Sequence, residues 1–389
     1  MIETATLTRH DTTRPPLLSV YYDYQILLAQ KFGGISRYIY ELASRLPDMG
    51  VNVDVECIHN HNFYFAERLG LCDMSNKNKF MRLVELGLFW YVNKFNALRS
   101  VRKNNYDIIH PTYYRVSYPD YKRNNAKLII TIHDMTHEKY AGIYPRLNKN
   151  LIAHKKRAVL EADLLIAVSE NTKRDLLEYV PEVDPERVHV IYHGFSMSGN
   201  SGDKAEFTRM KDQDYILYVG DRRFYKNFAR FIKAVINVMY IHKDLHLFCA
   251  GGGAFTSQEL DSFGAYKSRI HQGGLSDSEL AAAYKNALCY VFPSEYEGFG
   301  IPILESFACD CPVVCSNSSS LPEVAGDGAE YFSPVDVDIM TDKILDVIEH
   351  DSLRHELISR GRERVKLFSW DKAARETLEC YKLALAKGE

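Results

Sequence analysis

No run of apolar residues in this 389-residue chain approaches the ~20 needed to cross a bilayer as a helix, so no membrane-spanning helix is expected. The opening residues, Met-Ile-Glu-Thr-Ala-Thr-Leu-Thr-Arg-His-Asp, lack the apolar centre of a signal peptide, and a cytoplasmic protein is expected. Nothing repeats at the roughly 20–50-residue period of a solenoid. The formal net charge of -3 offers no reason to expect nucleic acid. Among the eight cysteines, Cys57, Cys72, Cys249, Cys289 and Cys380 stand singly, mostly in apolar surroundings, as buried thiols do. Cys309, Cys311 and Cys315 are closer together. Cys311-Pro-Val-Val-Cys315 nevertheless reads as a buried strand, and no second Cys or His pair has zinc-site spacing, so no metal is expected. A G-x-G-x-x-G dinucleotide fingerprint is missing, which argues against a dehydrogenase.

What is present is an alternation of strand-like apolar runs with helical segments, the pattern of parallel sheets with crossover helices. Strands are expected at 17–22, 51–58, 106–110, 127–133, 163–169 and 188–193, then at 215–220, 245–250, 269–272, 289–292 and 312–316. Helices are expected at 35–46, within 77–103, at 147–161 and 170–179, then near 228–242, 256–263, 277–286 and 302–308. Ser276 and Glu279 form a capping-box pattern. The chain is too long for one ordinary core. The fold class is therefore α/β, with two Rossmann-like doubly wound domains facing across a cleft. Small, polar Ser196–Asp203 is the linker candidate, and closure of the domains about it on ligand binding is expected. The expected domains are 1–198 and 199–370. A helix at 371–389 has apolar residues at helical spacing and is free to pack on either domain, including back on the first.

The richest chemistry lies in Pro293-Ser-Glu-Tyr-Glu-Gly-Phe-Gly-Ile-Pro-Ile-Leu-Glu305. Glu297 and Glu305 flank a loop containing Gly298, Phe299 and Gly300 that runs into a helix, with Pro302 suited to its first turn. A helix start with small residues presents backbone N–H groups to phosphate. Carboxylates beside it would repel phosphate and are better read as acceptors for hydroxyl groups, as on a ribose and a sugar. Together they point to a nucleotide-sugar. After Gly220, the loop Asp-Arg-Arg-Phe-Tyr-Lys-Asn brings Arg222 and Lys226 to a strand end, where they are suited to neutralise a pyrophosphate. A solvated basic loop is the bland reading there, and it suffices for Arg223.

In the first half, Gly33-Gly34-Ile-Ser-Arg-Tyr opens a helix after the first strand. Glycines allow close approach of a ligand to backbone, although a Gly-Gly turn before a helix is most often only a turn. Thr131-Ile-His-Asp134 closes a strand and sets His133 at the carboxyl edge, where ligands bind in such sheets; His110 follows the same logic. Between 77 and 103, Lys77, Lys79, Arg82, Lys94, Arg99, Arg102 and Lys103 face only Glu85, with Leu83, Leu86, Phe89, Trp90 and Phe95 interleaved. Two readings stand: a surface attracted to anionic lipid, or an ordinary crossover helix with a basic solvent face.

These residues closely resemble the retaining, nucleotide-sugar-dependent glycosyltransferases of the double-Rossmann (GT-B) architecture, group 1 or family four. The likeness rests on Gly33-Gly34-Ile-Ser-Arg-Tyr, Thr131-Ile-His-Asp, Tyr218-Val-Gly-Asp-Arg-Arg-Phe-Tyr-Lys-Asn-Phe, Pro293 through Ser306, and Cys311-Pro-Val-Val through Ser320-Leu-Pro-Glu-Val-Ala-Gly. Within that family the chain looks most like bacterial enzymes of O-antigen or other surface-polysaccharide synthesis, often named mannosyltransferases. The resemblance implies that Glu305 holds ribose hydroxyls and Glu297 hydroxyls of the transferred sugar. Arg222 and Lys226 would bind the diphosphate, assisted by backbone at Phe299 and Gly300. Gly33 and Gly34 would approach the donor phosphates, His133 the reacting sugar face, and Leu275 the base. The implied donor is a GDP- or UDP-linked sugar and the acceptor a lipid-linked glycan. Catalysis would need no metal or other cofactor, since cationic side chains replace it and no D-x-D pair is positioned to bind one. Alternatives are a nucleotide-sugar epimerase, which releases an altered donor without an acceptor, and a non-catalytic subunit of a polymerase complex. Residues 58–125, on the acceptor side, carry little of the likeness.

Overall fold

The computed structural model describes residues 18–71, 79–115, 125–143, 149–196 and 207–386. The chain divides into two compact units: Met1–Gly194 with Trp370–Glu389, and Phe195–Ser369. The boundary expected at 198/199 and all of the Ser196–Asp203 linker except Ser196 lie outside the described residues, as does Cys72.

The first unit holds a six-stranded sheet of β1 (Leu18–Tyr22), β2 (Val51–Val55), β3 (Ile108–Ile109), β4 (Lys127–Ile132), β5 (Leu164–Ala167) and β6 (Val188–Val190). Its order is β2-β1-β3-β4-β5-β6, every pairing parallel. Leu164, Leu165, Ile166 and Ala167 are all fully buried, which is why this stretch reads as continuously apolar rather than alternating. β2 stops short of the expected residue 58 because the chain turns there: Ile58 and His59 donate their backbone N–H groups to Asn93 Oδ1 at 2.7 and 3.2 Å. The helix Trp370–Ala386 belongs to this unit. Trp370, Ala373, Ala374, Leu378, Tyr381 and Ala384 are buried in the same core as the sheet.

The second unit holds β7 (Tyr215–Val219), β8 (His246–Ala250), β9 (Ile270–Gly273), β10 (Cys289–Phe292), β11 (Val313–Ser316) and β12 (Ala329–Phe332). The order β12-β11-β10-β7-β8-β9 is again wholly parallel. β12 and the helices Val337–Glu349 and Asp351–Val365 were not anticipated from sequence. Strand order reverses between β7 and β10, and in such sheets the crevice for a ligand opens at the carboxyl ends flanking that reversal. The corresponding reversal in the first unit lies between β1 and β3. Both doubly wound sheets are therefore present. Among the described residues, no helix is long and apolar enough to cross a membrane.

Candidate active site

The loops that leave β7 and β10 carry Lys226 and Glu297, and the reversal of strand order makes them neighbours. They are laced together by backbone: Glu295 N–H donates to Tyr225 O at 2.7 Å, and Asn227 Nδ2 donates to Pro293 O at 3.1 Å. Asn227 adopts a left-handed conformation (φ 59°), which suits asparagine, and is buried. This frame brings Lys226 Nζ to 2.6 Å from Glu297 Oε1. Burial alone would lower the lysine pKa, but the Glu297 carboxylate, with Tyr225 and Asp221, outweighs it and holds the ammonium above its usual range. Sequence reasoning put both residues at the site without anticipating that they pair. An ammonium has three donors, so one can hold Glu297 while the others face a second anion.

Beyond Glu297 the loop is fixed from the next crossover. Ser319 Oγ accepts the Glu297 N–H at 2.9 Å, and Ser320 Oγ donates to the carbonyls of Glu297 at 2.9 Å and Phe299 at 2.5 Å. Gly300 then caps the helix Ile301–Ala308 with φ 131°, a conformation that disfavours any side chain, and a Cβ there would press on Leu321 Cδ2 at 3.2 Å. Glu305 sits one turn into that helix, half-buried, and Tyr284 Oη donates to its Oε2 at 3.2 Å. Tyr284 lies in the helix Asp277–Asn286, whose Ser276–Glu279 capping box forms as expected. Ser319, Ser320 and Tyr284 were all missed. Their hydroxyls lie 21–23 residues in sequence from the glutamates they hold, with no local pattern to mark them. Leu275 follows β9 immediately before this capping box.

Arg222 has partners the sequence did not suggest. Its guanidinium donates to Glu259 Oε1 at 2.7 Å and to the carbonyls of Gly251, Gly253 and Ala254 at 3.1, 2.9 and 3.0 Å. Only 4% of the side chain is exposed. Glu259 also closes the capping box of the helix Ser257–Ser262, accepting the Thr256 N–H at 2.7 Å. One carboxylate thus ties the β7 loop to the glycine loop after β8. Gly252 favours glycine, since φ is 71° and a Cβ would lie 3.0 Å from the Gly220 carbonyl oxygen. Most Arg222 donors are committed, so in this structure it braces the edge instead of presenting a fork to a ligand. Arg223 is largely exposed and pairs with Asp221, consistent with a solvated loop.

In the first unit, Asp23 after β1 accepts the Thr112 N–H (3.0 Å) and hydroxyl (2.6 Å) after β3, joining the loops at that reversal. Gly33 and Gly34 begin the helix Gly34–Arg45, where Gln30 Oε1 accepts the Ser36 N–H at 3.2 Å. His133 follows β4, buried, edge-on to Tyr38 (5.4 Å) and stacked with His193 (5.9 Å). Its Nδ1 is buried and has no hydrogen-bond partner among the described residues. Beneath it a polar chain runs Tyr22–Tyr381 (2.7 Å), Tyr381–His110 Nδ1 (2.7 Å), His110 Nε2–Thr131 (2.8 Å) and Thr131–Tyr38 (3.1 Å).

Burial depresses these histidines: His133 to about 4, His110 to about 3 with help from the nearby His133, and His193 well below its usual value. For His133, Asp134 pulls back upward and Lys155 pushes further down. Above pH 6.5 all are neutral folded or unfolded and contribute no pH dependence. Below it the unfolded chain takes protons first, so stability falls as pH drops from 6.5 towards 4. At pH 5, His110 and His133 should each cost about 2 kcal/mol. Urea unfolding of this unit at pH 7 and pH 5 should show a lower midpoint at pH 5. A midpoint unchanged between them would contradict the burial of neutral imidazoles.

Among the described residues, no group of three or more His, Cys, Asp or Glu side chains is placed to hold a metal ion. The thiols near the site are buried, and burial pushes Cys309 and Cys311 up to about 12.

Comparison with known proteins follows the same division. Residues 32–198 match the family model Glycosyltransferase Family 4, and residues 201–364 match Glycosyl transferases group 1. The chain is 45% identical over 111 residues to the O-antigen chain mannosyltransferase B of Escherichia coli, a match spanning 28% of this chain and 29% of that protein. It is 28% identical over 321 residues to the O-antigen chain mannosyltransferase RfbU of Salmonella typhimurium, spanning 78% and 84%. Among solved structures, sucrose-phosphate synthase from Thermosynechococcus elongatus shares the fold, with a TM-score of 0.73 at 21% identity, covering 96% of this chain and all of that one. Two parallel Rossmann-like sheets, each matched by its own family model, establish that the chain belongs to the group 1, family-four glycosyltransferases with the GT-B fold.

Proposed function

We propose that the protein transfers a hexose from a GDP- or UDP-linked donor to a lipid-linked glycan in O-antigen or other surface-polysaccharide synthesis, retaining the anomeric configuration. The observation that carries this reading is the Lys226–Glu297 pair at the carboxyl edge of β7 and β10, on the loop that leads into the helix bearing Glu305. In this reading Lys226 neutralises the departing diphosphate while still touching Glu297, which accepts from hydroxyls of the hexose. Glu305, oriented by Tyr284, accepts from the ribose. Backbone at Gly298, Phe299 and Gly300 assists the phosphates, and Leu275 borders the base. Gly33, Gly34 and His133 serve as ligand-facing residues at the edge of their own sheet.

The acceptor hydroxyl attacks the anomeric carbon on the face the leaving group departs from. The carbon–oxygen bond to the diphosphate breaks, the new glycosidic bond forms, and a leaving phosphate oxygen takes the acceptor proton. The charge on that oxygen is met by the Lys226 ammonium and the helix start, a preorganised electrostatic arrangement that needs no metal ion. The setting proposed is the cytoplasmic face of the membrane.

Thermal-shift measurements with GDP, UDP, dTDP and ADP, alone and as their common sugars, test the reading. A nucleotide at about 100 times its Kd stabilises by about 2.7 kcal/mol, a rise of roughly 5–10 °C. One nucleotide family should produce it, and hexose release from that donor should require an acceptor. No shift with any, or an altered nucleotide-sugar without acceptor, would overturn it.

A further inference from the structure

The helix Lys79–Lys103 separates the two readings its sequence allowed. Its inner face is firmly seated. Ala97 and Val101 are buried in the first unit's core, with Leu86, Phe89, Trp90 and Leu98 packed against it. Ser100 donates to Glu56 at 2.6 Å, Asn93 accepts from Ile58 and His59, and His59 stacks on Phe89 at 4.1 Å. The outer face is therefore exposed on a fixed helix, not on a loose one. An ordinary crossover helix would turn polar residues outward. This one presents Val84, Leu88, Tyr91 and Phe95, exposed by 51, 58, 68 and 69%. Spacings of four, three and four residues align them in one stripe about 17 Å long. The stripe continues without a break into exposed Arg99, Arg102 and Lys103. Beside it, Lys94 lies over the Trp90 ring at 4.8 Å, and Ile58, seated on Asn93, adds 45% exposed apolar surface. Glu85, the one acidic residue of the helix, is half-buried.

We propose that this face docks on an anionic phospholipid surface, the stripe from Val84 to Phe95 entering the headgroup–acyl boundary and Arg99, Arg102 and Lys103 lying against lipid phosphates. Apolar and cationic residues in sequence on one solvent face match the two layers such a surface offers. A second copy of the chain matches less well. Two-fold pairing would bring like patches together. The lipid-linked acceptor of the proposed function gives the docking its purpose, but the test uses neither donor nor acceptor. Its failure would leave the transfer reading standing, and that reading has its own nucleotide test.

Flotation of the full chain with vesicles of phosphatidylglycerol and phosphatidylcholine, against phosphatidylcholine alone, measures the partition. At least tenfold stronger partition onto the anionic vesicles is expected. Leu88→Glu with Phe95→Glu should lower it at least tenfold without moving the melting temperature, since both side chains are solvent-exposed. Arg99→Glu with Arg102→Glu should abolish the preference for anionic lipid, providing a second variant that leaves the apolar stripe intact. No flotation by the unaltered chain, or flotation unaffected by either pair, would overturn the proposal. So would a concentration-dependent dimer that Leu88→Glu with Phe95→Glu dissociates while vesicle binding stays absent.

Discussion

Lys226→Ala should reduce hexosyl turnover by about 10²–10³-fold, the usual consequence of removing one preorganised group from developing negative charge. The lysine is the side-chain cation that the paired β7 and β10 loops bring to the Glu297 carboxylate, at 2.6 Å. Its loss also leaves that carboxylate without its ammonium. The pair is partly exposed, so the stability cost should stay near 1 kcal/mol. Activity should therefore fall far more than melting temperature. Arg222→Ala supplies the contrast, because it breaks a nearly buried ion pair with Glu259 and frees the carbonyls of Gly251, Gly253 and Ala254. About 3 kcal/mol of stability should go with it, and turnover should fall because the edge loosens. Side-by-side kinetics and melting curves decide the matter. Near-normal turnover in a folded Lys226→Ala protein would count against the whole assignment, and an unshifted melting point in Arg222→Ala would return Arg222 to direct ligand contact.

A chain ending at Ser369 should fail to fold its first unit. Trp370, Leu378 and Tyr381 are among the largest side chains that the final helix contributes to that core, and deletion of one such group costs about 3–5 kcal/mol. The whole helix exceeds the ~5–15 kcal/mol by which domains are stable. Tyr381 also closes the polar chain between Tyr22 and His110, so its loss leaves buried hydroxyl and imidazole groups unsatisfied. Hydrogen exchange reads this directly: amides of β1, β4 and β5 should lose protection while those of β7, β8 and β10 keep theirs. Native-like protection across both sheets would refute the expectation.

Much of this architecture is legible from residue order because strands buried on both faces advertise themselves. Leu164–Ala167 and Cys289–Phe292 have no polar face to disguise them. Ala329–Phe332 escaped because Glu330 and Tyr331, both half-buried, interrupt the run at the sheet's edge. The helix Asp351–Val365 escaped because it buries little beyond Leu357 and Gly361. At the site, the motif Pro293–Glu305 announces its own turn, helix start and carboxylates. What it does not announce is pairing across distance. Lys226 finds Glu297 and Arg222 finds Glu259 only because parallel strands return each loop to the same edge. In the helix Lys79–Lys103, counting lysines and arginines gives the charge but not the face. Which residues point outward depends on how Asn93 and Ser100 grip the loop after β2.

The return of the chain to its first unit only at Trp370 sets a timetable for biosynthesis. A ribosome adding roughly 5–20 residues per second needs on the order of 10–30 s to pass from Gly194 to the final helix. For that interval β1 to β6 are complete as sequence, yet the faces around Tyr38 and His193 wait uncovered for Trp370. The second unit has its last strand by Phe332, before Trp370 is made, and is free to close earlier. The later-encoded half should thus mature before the earlier one, reversing the usual order in which a nascent protein acquires its domains.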